Sequence, residues 1–281
     1  MSNKLTAAVA AVLLCASTAQ AQGEANPLVT LWSAGRPAFG IFVPNENPQI
    51  PARNERPRER PRAVYTREGG QKLAANPLYD FVFLNLEGHY DRDAVMAVSE
   101  GLGKPGTPGR KALIVRIPSL VDGGPMVTGQ RIKEILAMGA DGITLPHIEN
   151  LDQGRQAVSL FTDARANVWS AANPSGTVIA MLMLEDPGAV AQAAQIADIG
   201  GYSVLACGIG SLTAALKGDR QAGEAGNQAV LAETKRTKLV NMLTASAGDV
   251  AQRVKEGFLG LLAMGPDTDA VIRAGRAAAG R

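Results

Sequence analysis

The sequence predicts an α/β fold, a (β/α)8 TIM barrel, on the strength of three observations. Eight short apolar runs recur along the chain, and most are followed by a segment whose apolar residues have helical spacing. The runs are continuously apolar, as in parallel strands buried on both faces. Eight such strand–helix units in about 250 residues match the usual size of this barrel. A doubly wound open sheet is the alternative, but the glycine-rich phosphate turn that would favour it does not follow the first run.

Composition and charge narrow the classes of function. The chain has 281 residues, of which 46% are hydrophobic and 19% are charged, enough for one large domain with a buried core. The formal net charge of +2 gives no global attraction for a polyanion. We therefore predict that nucleic acid is not a partner.

Residues 1–21 predict a secretory signal peptide. Lys4 supplies positive charge, AAVAAVLLCA is too short for a membrane anchor, and TAQA places small residues before a cleavage point at Ala21. A short buried helix is the alternative. We expect an exported, periplasmic protein without membrane attachment after cleavage, with a single domain over residues 22–281. Cys207 would then be the one remaining cysteine, and its apolar surroundings predict a core residue.

The predicted strands follow one another at regular intervals along the chain. They are AFGIFVP (38–44), YDFVFLNL (79–86), KALIVRIP (111–118), DGITLPHI (141–148), TVIAMLMLED (177–186), YSVLACG (202–208), KLVNMLTA (238–245) and FLGLLAMG (258–265). Amphipathic segments between them predict the helices, for example RDAVMAVSEGLG (92–103), GQRIKEILAMGA (129–140) and NLDQGRQAVSLF (150–161).

An insert rich in arginine and proline, at about residues 45–76, interrupts this rhythm. It has no apolar periodicity, so we expect a long exposed loop that buries little. An anion or partner site is the alternative, because the segment includes Arg53, Arg56, Arg58, Arg60 and Arg62.

The ends of the strands carry the candidate functional residues, because barrel active sites lie at that face. Arginine can hold a carboxylate by two parallel hydrogen bonds, and glutamate is a suitable ligand for magnesium or manganese. The two histidines are the candidates for a base near neutral pH. An internal Arg–Glu ion pair that closes the barrel top is the alternative to a functional site. The residues concerned are Glu87, His89, Arg116, His147, Glu185 and Ser211.

Four blocks, ALIVRIP, GADGITLPHIENLDQGRQAV, MLMLED and LACGIGSLTAAL, resemble in order and spacing the HpcH/HpaI aldolase/citrate lyase family. The likeness runs from about Leu31 to about Asp269. It implies a (β/α)8 barrel, a homo-oligomer, and a divalent metal, Mg²⁺ or Mn²⁺, that chelates pyruvate or its enolate. It further implies that Arg116 contacts the substrate carboxylate, that Glu185 is a metal ligand, and that Glu87 is the glutamate of a Glu–His pair.

The chain departs from the family pattern at four positions. His89 comes one residue later than the family's histidine, which directly follows the glutamate. The partner aspartate of that histidine corresponds to Ala137, and a glutamine two places before the metal glutamate corresponds to Met183. The second metal ligand, an aspartate, corresponds to Ser211, a neutral and weaker ligand.

Together these observations predict a carbon–carbon lyase, aldolase-like, that acts on a small 2-oxo acid through a metal-stabilised pyruvate enolate. Arg116 would hold the carboxylate, Glu185 and Ser211 the metal, and His89 or His147 would move the proton. The alternative is a non-catalytic or altered-chemistry 2-oxo-acid-binding protein on a degenerate aldolase barrel. A third hypothesis is an interaction scaffold built on the arginine-rich insert.

Overall fold

The strands of the barrel run parallel to one another in a single eight-stranded sheet. The computed structural model describes residues 26–47 and 62–281, so the predicted signal peptide and most of the arginine-rich run lie outside the described residues. The order in the sheet is β6-β5-β4-β3-β2-β1-β8-β7, which confirms the predicted (β/α)8 TIM barrel. The strands are β1 (Ala38–Phe42), β2 (Phe81–Asn85), β3 (Ala112–Arg116), β4 (Gly142–Leu145), β5 (Ile179–Leu184), β6 (Val204–Cys207), β7 (Met242–Ala245) and β8 (Gly260–Ala263).

The helices are α1 (Pro27–Ser33), α2 (Arg67–Ala75), α3 (Arg92–Leu102), α4 (Leu120–Ala137), α5 (Leu151–Asp163), α6 (Pro187–Ala191), α7 (Ala193–Ala197), α8 (Ile209–Ala215), α9 (Arg220–Thr237), α10 (Val250–Glu256) and α11 (Thr268–Ala278). Helix α1 precedes the first strand, and the other helices lie between or after the strands. None of the described helices is both long and apolar enough to cross a bilayer.

The ring of strands closes incompletely between β6 and β7. A single bridge joins Val204 to Val240, through hydrogen bonds at the amino-terminal end of these strands. The remaining seven neighbouring pairs form regular parallel ladders. Strands β6 and β7 are therefore joined only at their amino-terminal ends. They have no ladder at the carboxyl end, where a barrel places its active site.

Alternation along each strand divides the core into two layers. On β2, Phe81 and Phe83 pack inside the barrel, whereas Val82 and Leu84 pack outward against the helices. Both layers are apolar, which explains why the strand sequences show no alternation of polar and apolar residues.

Helix α1 closes the amino-terminal end of the barrel. Leu28 and Trp32 belong to the inner core layer, and the Trp32 indole N–H donates to the carbonyl of Leu259 at 2.8 Å. Asn26 caps the helix and donates to the carbonyls of Asp141 and Thr177, which precede β4 and β5. This plug leaves the carboxyl end of the strands as the face where a site is built.

The predicted loop at residues 45–76 is partly a helix. Its last residues form α2, which is capped by Thr66, whose hydroxyl accepts from the backbone N–H of Gly69 at 3.0 Å. Helix α2 packs against α3 through a glycine contact, because a Cβ on Gly101 would lie 2.7 Å from the Cα of Gly70. The packed face is made of glycine and one buried leucine, Leu73, so it has no apolar periodicity.

Candidate active site

Four ionisable side chains from the ends of neighbouring strands form one strand-end cluster: Glu87, Arg116, His147 and Glu185. Arg116 is the last residue of β3, and the other three follow β2, β4 and β5. Nη2 of Arg116 donates to Oε1 of Glu87 at 2.5 Å and to Oε2 of Glu185 at 2.9 Å. Parallel strands end at the same edge of the sheet, so residues distant in sequence meet here.

His147 links the two carboxylates of the cluster. Its Nε2 lies 2.8 Å from Oε1 of Glu87, and its Nδ1 lies 3.2 Å from Oε2 of Glu185. Both contacts are hydrogen bonds only when the ring carries two protons, because a neutral imidazole has one donor nitrogen. The backbone N–H of His147 also donates to Glu185, at 3.1 Å. A left-handed backbone, with φ of 52°, turns this residue toward the cluster.

Glu185 is the most deeply buried member, with 4% of its surface exposed. A buried carboxylate requires partners, which Arg116 and the backbone of His147 supply. Gly208, directly after β6, makes room for it: a Cβ there would lie 2.6 Å from Cγ and 2.8 Å from Cδ of Glu185. The glycine is therefore required by the position of the carboxylate and not by backbone conformation, since its φ is −77°.

Arg116 retains donors that the cluster does not use. Its side chain is 13% exposed, and both of its contacts with carboxylates use Nη2. Nε is buried without a hydrogen-bond partner among the described residues, and Nη1 donates to none of them either. Because Nε is enclosed, a further anion can be held through Nη1, which neither carboxylate uses.

A cavity of about 240 Å³ adjoins Arg116 and Glu185. It has room for roughly eight water molecules at about 30 Å³ each. Cys207 lines it, and burial, together with the charges of Glu185 and Glu224, raises the pKa of this thiol to about 12. The thiol is thus neutral at ordinary pH and is a wall of the cavity, not a nucleophile.

The donor set of the cluster fits a divalent cation. Glu87, His147 and Glu185 each offer one ligand atom, and these atoms lie within 4.8 Å of one another. In the described part of the chain, this is the one group of three such residues that could hold a metal ion. Two carboxylates and an imidazole suit manganese, iron or zinc, and the carboxylates alone suit magnesium. Arg116 contributes opposing positive charge, so a metal would have to displace its hydrogen bonds to the carboxylate oxygens or use the other oxygens.

Of the remaining predicted residues, Ser211 lies at the same cavity as Glu185 and His89 does not. Ser211 lines the same cavity as Glu185, in the first turn of α8. His89 is exposed and lines a separate surface cavity with Tyr65 and Asp91, so it is not brought into the cluster. Ala137 is the last residue of α4, a helix that leads away from the strand-end face.

The comparisons with known proteins address the family and the fold. The family model for HpcH/HpaI aldolase/citrate lyase matches residues 73–274, more than half of the chain. The chain belongs to this family. The resemblance of the four sequence blocks is thereby confirmed, and an enzymatic role of the aldolase or lyase kind is supported. Among curated protein sequences, none matches this chain.

Solved structures of HpcH/HpaI proteins share the fold. A family protein from Burkholderia cenocepacia J2315 is 19% identical, with a TM-score of 0.64 over 90% of this chain and 97% of that one. The HpcH/HpaI aldolase from Desulfitobacterium hafniense DCB-2 is 18% identical, with a TM-score of 0.62 over 86% and 91%. A citrate lyase beta subunit from M. tuberculosis, complexed with oxaloacetate and magnesium, is 18% identical, with a TM-score of 0.55 over 86% and 97%. At these identities the likeness establishes the fold alone.

The feature of the site that the sequence left open is which histidine lies beside Glu87. The strand-end positions predict that Glu87 and at least one histidine face the same space as Arg116 and Glu185, and His147 is the histidine that does so. The signal available was weak: two strand-end residues on strands separated by β3 in the sheet.

Proposed function

We propose that this HpcH/HpaI protein cleaves a carbon–carbon bond of a small 4-hydroxy-2-oxo acid by a retro-aldol reaction that releases pyruvate. One observation carries the proposal: Arg116, with donors free for an anion, lies beside the buried carboxylate of Glu185 at a cavity in the strand-end face. Membership of the aldolase/citrate lyase family supports the class of reaction.

Glu87 and Glu185 are the residues to which we assign a divalent metal. The metal site that the family resemblance implies has two carboxylates, and Ser211 stands in place of one of them. Glu87 would supply the second carboxylate, and its ligand oxygen lies within 4.8 Å of that of Glu185. When bound, the cation would polarise the keto oxygen and offset the negative charge that develops there.

Charge supports the same assignment. With a neutral imidazole, the two carboxylates and Arg116 leave the cluster at −1; a divalent cation brings it to +1, and one substrate carboxylate brings it to zero. Anion binding should therefore depend on metal. Carboxylate oxygens that turn toward a metal also release the imidazole of His147 from its contacts.

His147 is the base in this proposal. Its Nε2 lies 2.8 Å from Glu87 in the structure, and release of this contact would free the nitrogen to take a proton. The imidazole takes the proton from the C4 hydroxyl, the C3–C4 bond breaks, and its electron pair becomes the enolate of pyruvate while C4 leaves as an aldehyde. The enolate then takes a proton at C3, so pyruvate is released and the imidazole is neutral again. Arg116 holds the carboxylate throughout. Carboxylates that turn toward a metal would free Nη2, and Nη1 with Nη2 would then give the two-pronged geometry that fixes the plane of the oxo acid.

A non-catalytic oxo-acid-binding protein is the second candidate. It is favoured by one observation: each member of the cluster has an ion-pair partner within it, as in a structural ion network. In that case Arg116 and Glu185 would stabilise the fold, and losing one partner of a buried pair is destabilising by about 3–5 kcal/mol.

Three variants separate the candidates: Glu185→Gln, Arg116→Lys and His147→Gln. Under catalysis, Glu185→Gln weakens Mn²⁺ binding, Arg116→Lys raises KM because a point charge cannot reproduce the fork, and His147→Gln retains Mn²⁺ but loses turnover. The readouts are metal affinity by calorimetry, pyruvate release over a panel of 4-hydroxy-2-oxo acids, and the melting temperature.

Exposed residues of the same types provide the controls. Glu149→Gln and Arg155→Lys alter side chains on or beside α5 that lie outside the cluster, so activity and Mn²⁺ affinity should match those of the unmodified protein. Unchanged activity in all three cluster variants would contradict the assignment of the site. Loss of Mn²⁺ in His147→Gln would make this residue a ligand instead of the base.

A further inference from the structure

The cavity beside the cluster has an unusually sulfur-rich and apolar wall. Four of the eight methionines of the chain line it: Met181, Met183, Met242 and Met264. Met181 and Met183 alternate with their neighbours on β5 and so share the inward direction of Glu185, two residues further on. They form a column that leads from the carboxylate down into the barrel.

The opposite side of the cavity continues this apolar lining. Phe83 and Leu262 are buried members of the inner core layer, and Met242 joins them from β7. Met264 lies at the outer end of the cavity and is partly exposed. Methionine is unbranched and polarizable, so a wall of methionines adapts to flexible apolar groups.

Positive charge in the lining comes from Arg116. Within the described part of the chain, the other lining residues include neither lysine, histidine nor a second arginine, and Glu185 is the one acidic residue. Ser211 and Thr244 are the lining residues that carry a hydroxyl group. A second carboxylate on the substrate would therefore enter an apolar space without a counter-charge, which is unfavourable.

From these observations we propose that the oxo acid taken by this site is a monocarboxylate with an apolar tail, and that the tail lies in the cavity between the methionine column and Met242. The aldehyde released would then be aliphatic or aromatic, and not one that carries a second acid group. This inference rests on the proposed function. It follows from two separate features, the single guanidinium and the apolar wall. It also agrees with the charge of the metal-loaded cluster, which one carboxylate neutralises.

Matched ligands test the inference without turnover. Pyruvate, 2-oxohexanoate and 2-oxoadipate have the same 2-oxo acid head, and the last two differ only in a terminal methyl against a terminal carboxylate. None has the 4-hydroxyl that cleavage requires. Calorimetric titration of the full-length protein with each compound, at saturating MnCl2, gives three dissociation constants.

We expect 2-oxohexanoate to bind at least tenfold more tightly than pyruvate, because it adds three methylenes to the buried part of the ligand. 2-Oxohexanoate should also bind at least tenfold more tightly than 2-oxoadipate. Equal or tighter binding of 2-oxoadipate overturns the inference, while binding of any of the three leaves the proposed function in place. No binding of any of the three overturns both.

A variant of the wall gives an independent readout. Met242→Gln keeps the length of the side chain but adds an amide. It should therefore weaken the binding of 2-oxohexanoate at least fivefold and leave the binding of pyruvate unchanged. Met96→Gln, on the outer helix α3, is the control and should change neither constant. An equal loss for both ligands in Met242→Gln would contradict a tail site at this wall.

Discussion

Replacing Gly208 by alanine places a methyl group against Glu185. The new carbon would lie 2.6 Å from Cγ and 2.8 Å from Cδ of the glutamate, whereas carbon atoms in contact lie about 3.5–4.0 Å apart. The carboxylate must therefore move by roughly 1 Å. The backbone has no part in this strain, because φ at residue 208 is −77°.

This displacement weakens the two hydrogen bonds that Glu185 accepts. Glu185 accepts from Nη2 of Arg116 at 2.9 Å and from the backbone of His147 at 3.1 Å. Hydrogen bonds to charged groups contribute about 1.5–3 kcal/mol each. Partial loss of both predicts a decrease of about 2–4 kcal/mol in the free energy of unfolding. The melting temperature should fall by roughly 3–7 °C. If Glu185 binds metal, Mn²⁺ affinity should fall at least about tenfold, or ~1.4 kcal/mol.

Thermal unfolding followed by circular dichroism, in EDTA and in MnCl2, measures both effects. Gly210→Ala is the matched control two residues away, because a Cβ there meets nothing within 4 Å. A double-mutant cycle with Glu185→Ala tests the mechanism directly: once the carboxylate is removed, Gly208→Ala should have little further effect. A Gly208→Ala protein with unchanged melting and unchanged Mn²⁺ affinity would refute the reasoning.

Three further predictions concern reactivity, pH and helix packing. Cys207 should resist a maleimide at pH 8 in the native protein and react fully once denatured, since burial raises its pKa to about 12; rapid native labelling would contradict this. The hydrogen bond from Arg253 lowers the pKa of Glu224 below its ordinary 4.5, so its stabilising contribution is present above that pH and is lost as pH falls through the folded-state pKa. Glu224→Gln should therefore be less stable than the unmodified protein at pH 6, with a difference that shrinks in acid; a pH-independent difference in chemical denaturation would oppose this. Gly101→Ala should lower the melting temperature by separating α2 from α3, and a melting curve identical to that of the unmodified protein would exclude a close contact with Gly70.

The barrel itself was predictable because its signal is local. Each strand is a continuous apolar run, and burial on both faces of a parallel strand produces such a run whatever the rest of the chain does. The contact of Arg116 with Glu185 also follows, since both stand where such runs end. The helix at Arg67–Ala75 was missed because its packed face is made of glycine, and close approach of backbones leaves no apolar period in a sequence.

Sequence alone thus determined the architecture, the family resemblance and the strand ends at which chemistry is possible. Tertiary structure decided which histidine joins the cluster. A left-handed turn at His147 directs its ring to Glu87 and Glu185, whereas the loop after β2 carries His89 to a different cavity. The tertiary structure also decided that methionines from β5, from β7 and from the residue after β8 line one cavity beside a single guanidinium. The physical reason is the same in each case: side-chain periodicity reports the face of a strand, but loop paths and contacts between distant strands depend on packing of the whole barrel.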